Sequence, residues 1–329
     1  MKKSIKLVYS DLSGPGYSRR RVGKGFSYIG KTGRRLKDPR IIKYCKSLVI
    51  PPAWRDVWIS PARNAHILST GLDERKRKQY IYHPAWTDYQ NLIKFSELLE
   101  FGQCLPTIRE SVEKDLNKRK LSKQRVIAAV IRMIDSTLIR IGNEAYSKDN
   151  KTYGATTLLE RHADVSGSTL TLDFRGKSGK QRQLDVEDAN LIKTIRSCQE
   201  LPGQRLFQYV DDNGKVERVS SNDVNDYLKN VSGADFTAKT FRTWGGTVMA
   251  LEYVDQSTIE EPKKLEIATV KHAAKQLGNT VAVARKYYIH PELLASVKLG
   301  TNLSIAKHRR KGLSRGETGV LRFLLEIDD

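Results

Sequence analysis

The sequence has few cysteines, no long apolar run and no apolar leader. Its three cysteines, Cys45, Cys104 and Cys198, are an odd number without metal-ligand spacing, which argues against a disulfide framework or a zinc site. The start is basic but has no signal-peptide apolar region, and the apolar runs are far shorter than a membrane span. We therefore expect a cytoplasmic protein with reduced, structural thiols and no membrane association.

Acidic side chains are also scarce. Asp and Glu total 37 against 58 Lys and Arg, which gives a net charge of +21 spread along all 329 residues. A spread excess of this size favours a polyanionic partner, most often nucleic acid. The alternative is a ribosome-associated or merely soluble basic protein. The hydrophobic content of 39% is sufficient for a core, and the length fits one large domain or two ordinary ones.

The pattern changes along the chain and predicts an α+β protein with two domains. Residues 1–85 are rich in Gly, Pro, aromatic and β-branched residues, which predicts a β-rich N-terminal domain. Residues 86–329 show mainly helical spacing, and one of these helices is predicted to end at Gly142. A β-hairpin interrupts them, because Leu170, Leu172 and Phe174 alternate before the turn "RGKSGK".

One stretch, "GFSYIGKT" at 25–32, matches the phosphate-loop pattern letter for letter. That chemistry needs a buried strand before the first glycine and a helix that starts at the lysine. The preceding "YSRRRVGK" is too charged for a buried strand, and the residues that follow Gly25 alternate as in a strand. We interpret the match as a coincidence in a hairpin.

Two basic residues stand in settings that suggest a role with an anion. Arg140 lies between Ile139 and Ile141 after a very apolar segment, where an arginine needs an anionic partner. That partner is a ligand or, alternatively, a carboxylate such as Glu144. Lys177 lies at the hairpin tip, where most lysines are simply solvated.

Arg242 and Lys239 lie three residues apart on one predicted helix face, in "AKTFRTWGGT". The arginine fork can bind two phosphate oxygens. Alternatively, the Arg242 side chain simply packs against Trp244.

Tyr287 and Tyr288 follow two cations, Arg285 and Lys286. A phenol with a pKa of about 10 is a poor nucleophile at neutral pH unless its environment helps. Nearby cations stabilise the phenolate and neutralise a phosphodiester, and a lysine can protonate a leaving alkoxide. Two arginines, a lysine and a tyrosine could therefore break a phosphodiester by transesterification, and the sequence shows no carboxylate cluster typical of a metal site.

Longer motifs in a fixed order give the chain a family resemblance. They are "IPPAWRDVWI", "RKQYIYHP", "IRIGNEAY", "YGATTL", "FRGKSGK", "FTAKTFRTWGGT" and "LGNTVAVARKYYIHP". In these motifs the chain resembles the type IB DNA topoisomerases of the small bacterial and poxvirus-like branch. The resemblance implies a C-shaped clamp on duplex DNA that relaxes supercoils through a 3′-phosphotyrosyl link, without ATP or an obligatory metal.

By motif position, the resemblance implies a role for each basic residue. Arg140 and Arg242 would grip the phosphate, and Lys177 would be the general acid for the 5′-oxygen. Lys239 would be an auxiliary lysine. The nucleophile would be Tyr288, since eight residues separate it from Asn279 and "IHP" follows it.

Asn279 departs from the family pattern, because poxvirus and many eukaryotic members have histidine there. An asparagine amide can also donate a hydrogen bond to a phosphate oxygen, although it cannot carry a positive charge. This affects the expected rate but not the reaction class. Since Asn279 follows Gly278, the alternative is a helix N-cap.

The "QYIY" segment resembles the part of the family that lies on DNA. Gln79, Tyr80 and Tyr82 would contact bases and backbone, with the glutamine able to pair with an adenine edge. The alternative for the two tyrosines, which alternate on one strand face, is core packing.

Two other functions would explain part of the sequence. A tyrosine recombinase shares the catalytic chemistry but usually has His-x-x-Arg where this chain has Lys239 and Arg242, and its N-terminal module is helical. A non-enzymatic DNA-binding protein would explain the charge but not the ordered motifs. We expect a monomer that acts on double-stranded DNA in the cytoplasm, associated with the nucleoid; residues 300–329 have no predicted role.

Overall fold

The computed structural model describes residues 6–328. The chain forms two compact units that divide between Lys94 and Phe95, within a long helix. The first unit is small and rich in strands, and the second is larger and mainly helical with antiparallel strands. The predicted α+β class is therefore confirmed.

The first unit contains one antiparallel sheet with the strand order β2-β1-β3-β4-β5. Its elements are β1 (Tyr17–Val22), β2 (Gly25–Ile29), α1 (Pro39–Ser47), β3 (Arg55–Ile59), β4 (Ile67–Leu72) and β5 (Lys78–Tyr82). The edge strand β5 pairs only with β4 among the described strands. Helix α1 begins where Asp38 accepts a hydrogen bond from the Arg40 amide, with Pro39 in its first turn.

The phosphate-loop match lies in a β-hairpin. Residues Gly25–Ile29 form β2, which pairs antiparallel with β1, and Tyr28 is buried in the small core. Gly33, at φ +76°, lies in the turn that follows, and the next helix, α1, begins at Pro39. The amides of this segment therefore cannot surround a phosphate, and the interpretation as a coincidence is confirmed.

The second unit is built from helices around a three-stranded antiparallel sheet with the order β6-β7-β8. Helix α2 (Pro84–Leu116) carries the chain into this unit. Its further helices are α3 (Lys123–Thr137), α4 (Glu144–Asn150), α5 (Ala189–Gln199), α6 (Ser221–Ser232), α7 (Ala238–Gln256), α8 (Pro262–Leu277), α9 (Val281–Tyr287), α10 (Pro291–Leu299) and α11 (Arg315–Asp328). Its strands are β6 (Ala163–Ser166), β7 (Thr169–Arg175), β8 (Gln181–Val186), β9 (Gln208–Val210) and β10 (Val216–Arg218).

The predicted hairpin is confirmed as β7 and β8. Leu170, Leu172 and Phe174 are buried in the core of the second unit, because alternate residues of a strand point to one face. Phe174 pairs with Arg182 across the ladder, so the same register places Arg182 near the hairpin tip.

Helix α3 ends earlier than its apolar pattern predicts. Its C-cap is Leu138 in the left-handed region at φ +53°, not Gly142. The chain then leaves the helix, because the carbonyls of Arg140 and Ile141 accept hydrogen bonds from the 155–156 amides at 2.8 and 2.7 Å. The predicted end at Gly142 was therefore wrong, and tertiary hydrogen bonds stop the helix sooner.

The C-terminal helix α11 is part of the second unit's core. Its Glu317 forms a salt bridge with Arg109 of α2 at 2.7 Å, and Arg109 also binds Asp135 of α3 at 2.8 Å. The Trp244 indole of α7 donates to Glu317 at 3.2 Å. Residues that had no predicted role thus tie α2, α3 and α7 together.

Candidate active site

Arg242 of α7 is almost completely buried, with 3% of its surface exposed. Its guanidinium donates to the Leu138 carbonyl at the end of α3 and, at 3.0 Å, to the Leu277 carbonyl at the end of α8. Free carbonyls at helix C-termini carry partial negative charge, which stabilises the cation. Burial, together with the charge of Arg140, nevertheless lowers the pKa of Arg242 to about 10. Arg242 is therefore a fixed cation that a further anion would stabilise.

Tyr288 lies beside this cation. The guanidinium carbon of Arg242 is 5.0 Å from the centre of the Tyr288 ring. The phenol offsets part of the lowering of the Arg242 pKa, through its charge and a hydrogen bond. Because Tyr288 caps α9 and packs against the core of the second unit, its ring is held next to the buried arginine.

Tyr287 has different surroundings. It is the last residue of α9, and its ring centre lies 5.6 Å from the ammonium of Lys286. The contact of Arg242 with a tyrosine ring is made by Tyr288. Of the two adjacent phenols, the geometry therefore favours Tyr288.

Two adjacent glycines let α7 approach both sides of the site. A β-carbon on Gly245 would lie 2.7 Å from Cδ2 of Leu138, and one on Gly246 would lie 3.2 Å from the carbonyl carbon of Tyr288 and closer still to its oxygen. Thr247 then accepts a hydrogen bond from the His290 amide at 3.1 Å. The "GGT" sequence of α7 thus contacts the end of α3 and fixes the backbone from the Tyr288 carbonyl to the His290 amide.

Arg140 and Asn279 meet although 139 residues separate them in sequence. An Arg140 guanidinium nitrogen donates to Oδ1 of Asn279. The Asn279 Nδ2 is buried and has no hydrogen-bond partner among the described residues. The amide is thus oriented by Arg140 and keeps a free donor, which an incoming oxygen could accept.

Glu144, the alternative partner for Arg140, is paired elsewhere. Its carboxylate binds Arg205 at 2.7 Å and Arg218 at 3.3 Å. Burial lowers the pKa of Arg140, and the charge of Arg182 adds to this effect. The carboxylate alternative was therefore wrong, and in the described part of the chain no carboxylate contributes to the pKa of Arg140 or Arg242.

The capping alternative for Asn279 was also wrong. Gly278 ends α8 in the left-handed conformation at φ +62°, and Thr280 caps α9 by accepting from the Val283 amide at 3.3 Å. Asn279 lies between the two helices, so its side chain is available to the site.

Arg182 is a third arginine at the site, which the sequence reasoning missed. From β8 its guanidinium donates to the Gln276 carbonyl at 3.3 and 3.2 Å, and a β-carbon on Gly278 would lie 2.6 Å from it. Its charge lowers the pKa of both Arg140 and Arg242. In the sequence, Arg182 is simply one of the polar residues that alternate in "QRQLDV". That alternation does not show which part of the protein this face of the strand contacts.

The two lysines lie on the surface. Lys177 is exposed at the hairpin tip, where Gly176 and Lys180 close the turn through a 2.8 Å amide–carbonyl bond. Lys239 is exposed in the first turn of α7, one turn before Arg242. The structure thus brings Arg140, Arg242, Asn279 and Tyr288 together and leaves both lysines at the surface.

In the first unit, the aromatic pair of β5 is exposed rather than packed in the core. Tyr80 and Tyr82 are 41% and 44% exposed and stack at 5.9 Å, with the Lys78 ammonium 5.9 Å from the Tyr80 ring. Core packing, the alternative for these tyrosines, was therefore wrong. Gln79 alternates to the less exposed side, and its amide donates to Asp73 at 3.0 Å.

Residues 6–328 contain no group of three or more His, Cys, Asp or Glu side chains arranged to hold a metal ion. Over the same range, no helix combines the length and apolar character that a membrane span requires. All three cysteines are free, and burial raises the pKa of Cys45 and of Cys198 to about 11. The thiols of Cys45 and Cys198 are therefore protonated at neutral pH.

Comparison with known proteins gives matches along most of the chain. Residues 76–303 match the family model described as eukaryotic DNA topoisomerase I, catalytic core, and residues 25–73 match that of the bacterial DNA topoisomerase IB N-terminal domain. The chain is 33% identical to DNA topoisomerase 1B of Acanthamoeba polyphaga mimivirus over 285 residues, which are 83% of this chain and 85% of the viral protein. It is 23% identical to DNA topoisomerase 1B of vaccinia virus (strain Copenhagen) over 241 residues, 70% of this chain and 73% of that protein.

Among solved structures, a post-cleavage complex of the XerH site-specific recombinase with its palindromic substrate aligns with a TM-score of 0.36. The identity is 15%, over 68% of this chain and 58% of that one.

Proposed function

This chain belongs to the type IB DNA topoisomerases, and we propose that it relaxes supercoiled DNA by cleaving and resealing one strand through Tyr288. The observation that carries this assignment is the position of the Tyr288 ring against the buried Arg242, with Arg140 and the free Asn279 amide beside them. A nucleophilic phenol and donors for a phosphate are thereby combined in one place.

The reaction is a transesterification. The Tyr288 oxygen attacks phosphorus and gives up its proton to solvent water, while the bond from phosphorus to the 5′-oxygen breaks and that oxygen takes a proton from Lys177. The product is a 3′-phosphotyrosyl link and a free 5′-hydroxyl, whose strand rotates before it attacks back. One phosphodiester replaces another in each direction, so the cycle needs no energy from ATP.

The buried cations explain why a phenol can act at neutral pH. Arg242, desolvated and held by two carbonyls, stabilises the developing phenolate and a non-bridging oxygen. Arg140 supplies a second fork, and Nδ2 of Asn279 supplies the hydrogen bond that histidine gives in other members. A bound phosphate would also satisfy the free amide and offset the cost of burying Arg242.

The hairpin supplies the other half of the chemistry. Lys177 protonates the leaving 5′-oxygen, and its exposed position at the tip lets it reach DNA rather than the protein core. Arg182 on the same hairpin binds the C-terminal end of α8, so it links the general acid to the turn that carries Asn279. Lys239 is the auxiliary lysine one turn before Arg242.

We propose that the N-terminal part of the chain also binds DNA, with a β-rich DNA-binding domain of residues 1–85 followed in sequence by a catalytic domain of residues 86–329. Tyr80 and Tyr82 form an exposed aromatic face on edge strand β5, with Lys78 available for a phosphate. Gln79 contributes only if its amide leaves Asp73 to contact a base. The substrate is double-stranded DNA, bound by a monomer in the cytoplasm at the nucleoid, with neither ATP nor an obligatory metal as cofactor.

The test uses supercoiled plasmid without ATP and with EDTA. Wild type and Tyr287→Phe should relax the plasmid, and Tyr288→Phe should bind it without relaxing it. The two variants are matched, because each removes one phenolic oxygen from adjacent residues.

The opposite result for the two variants would show that the nucleophile is Tyr287. If wild type relaxes DNA only when ATP or a metal is added, the cofactor-free mechanism fails.

A further inference from the structure

Five consecutive basic residues, Lys307–Lys311, form an exposed surface loop before α11. We call this segment the 307–311 loop. In the described part of the chain, none of its lysines or arginines forms a salt bridge with a carboxylate. Four unneutralised cations and a histidine therefore lie close together along the chain.

The loop is held in place at both ends. Before it, buried Ala306 exchanges two hydrogen bonds with Arg315, from its amide at 3.1 Å and to its carbonyl at 2.9 Å. After it, the Gly312 carbonyl accepts from Arg109 at 2.8 Å, and Leu313 is buried. The fold thus closes the loop and keeps like charges together, against their mutual repulsion.

The start of the loop is remote from Arg242. Ile305, two residues before it, bonds to Asp255 near the end of α7 at 3.1 Å. Arg242 lies 13 residues earlier on α7, which corresponds to about 20 Å along the axis. A phosphate that contacts the start of the 307–311 loop is therefore not the one attacked by Tyr288.

We infer that the 307–311 loop is a second DNA-backbone contact, which binds duplex beyond the site of cleavage; this rests on the proposed function. A run of exposed cations suits a row of phosphates, because duplex DNA carries one charge per about 1.7 Å of its axis. The bound segment is either the flank of the cleaved duplex or a second duplex. Both present the same phosphate backbone.

The experiment compares two variants that lose the same charge. The loop variant carries Lys307→Gln, Arg309→Gln, Arg310→Gln and Lys311→Gln. The control carries Lys120→Gln, Lys215→Gln, Lys229→Gln and Lys264→Gln, four surface lysines that already pair with carboxylates. Since all eight side chains are exposed, both variants should keep the wild-type melting temperature.

The binding constant is measured as a function of salt concentration on duplexes of about 20 and 60 base pairs. A capture assay then tests whether protein bound to an immobilised 20-mer duplex retains a second, labelled 20-mer duplex. Four lost phosphate contacts should reduce the slope of log K against log salt by about 3 to 4. If the loop binds the flank, the loop variant loses this slope on the long duplex. If the loop binds a second duplex, the loop variant instead no longer captures the labelled 20-mer.

Equal behaviour of loop variant and control in all three assays would overturn the inference. Cleavage of the short duplex is followed in parallel and should equal wild type in both variants. If wild type itself does not cleave, the proposed function fails, while the binding comparison still tests the loop.

Discussion

Gly246→Ala tests whether α7 positions the nucleophile. The added β-carbon would lie 3.2 Å from the carbonyl carbon of Tyr288, nearer to its oxygen, and 3.1 Å from Cδ1 of Leu277. Since carbon atoms prefer separations of about 3.5–4.0 Å, the Tyr288 backbone must shift on the order of 1 Å. A shift of that size at a reacting group costs about 100-fold in rate.

The stability change should be smaller than the change in rate. Alanine is preferred to glycine inside a helix by about 1 kcal/mol, and overpacking a core costs about 1–3 kcal/mol. The net loss is then roughly 0–2 kcal/mol, or a fall of a few degrees in melting temperature. DNA binding, which does not depend on the placement of the nucleophile, should stay near the wild-type value.

Gly245→Ala is the matched control, because it makes the same substitution at the preceding residue. Its β-carbon would meet the far end of the Leu138 side chain, at 2.7 Å from Cδ2, rather than backbone. A leucine side chain can rotate away, so we expect less than a tenfold loss in rate. The assay is single-turnover cleavage of a duplex at saturating protein, with a thermal melt of each variant.

This role of Gly246 is refuted if Gly246→Ala cleaves within threefold of wild type, or if both alanine variants lose the same activity. Either result would mean that contact between α7 and the Tyr288 carbonyl does not control the nucleophile.

Asn279→Ala should slow cleavage about 100-fold, as removal of one oxyanion donor does, and Asn279→His should recover most of the rate in the same single-turnover assay. Arg182→Gln should slow cleavage about tenfold without lowering the melting temperature of the DNA-free protein, because it relieves repulsion with the other arginines; a fall in stability that matches the loss of rate would contradict this. Glu317→Gln should destabilise by about 3 kcal/mol, since it leaves Arg109 short of a buried partner. Burial raises the pKa of Glu317, but its hydrogen bonds to Arg109 and the charge of Arg109 lower that pKa by more. The net result is a pKa below the usual value for a glutamate. The stability that Glu317 contributes is therefore present at neutral pH and lost as pH falls below about 4.5, and urea melts of the variant should lack this loss.

Local patterns in the sequence were enough for the elements they encode. Alternation predicted the β7–β8 hairpin and indicated that "GFSYI" of "GFSYIGKT" forms a strand. Such a pattern is local, because alternate residues of a strand point to the same face. The ordered motifs identified the family, and the comparisons confirm it. The end of α3 was misplaced, because its stop depends on hydrogen bonds to residues 155 and 156, which no helical pattern contains.

The sequence by itself determined the basic charge, the α+β class and the family. Only the tertiary structure decided which groups face one another. Asn279 and Arg140 are 139 residues apart, and Arg182 reaches the site through the carbonyl end of α8. Composition and periodicity describe what each element buries, but the partner of a buried charge is set by how the elements pack. For that reason the sequence alone does not distinguish Tyr287 from Tyr288. In the structure the Tyr288 ring lies against Arg242, whereas the Tyr287 ring lies near Lys286.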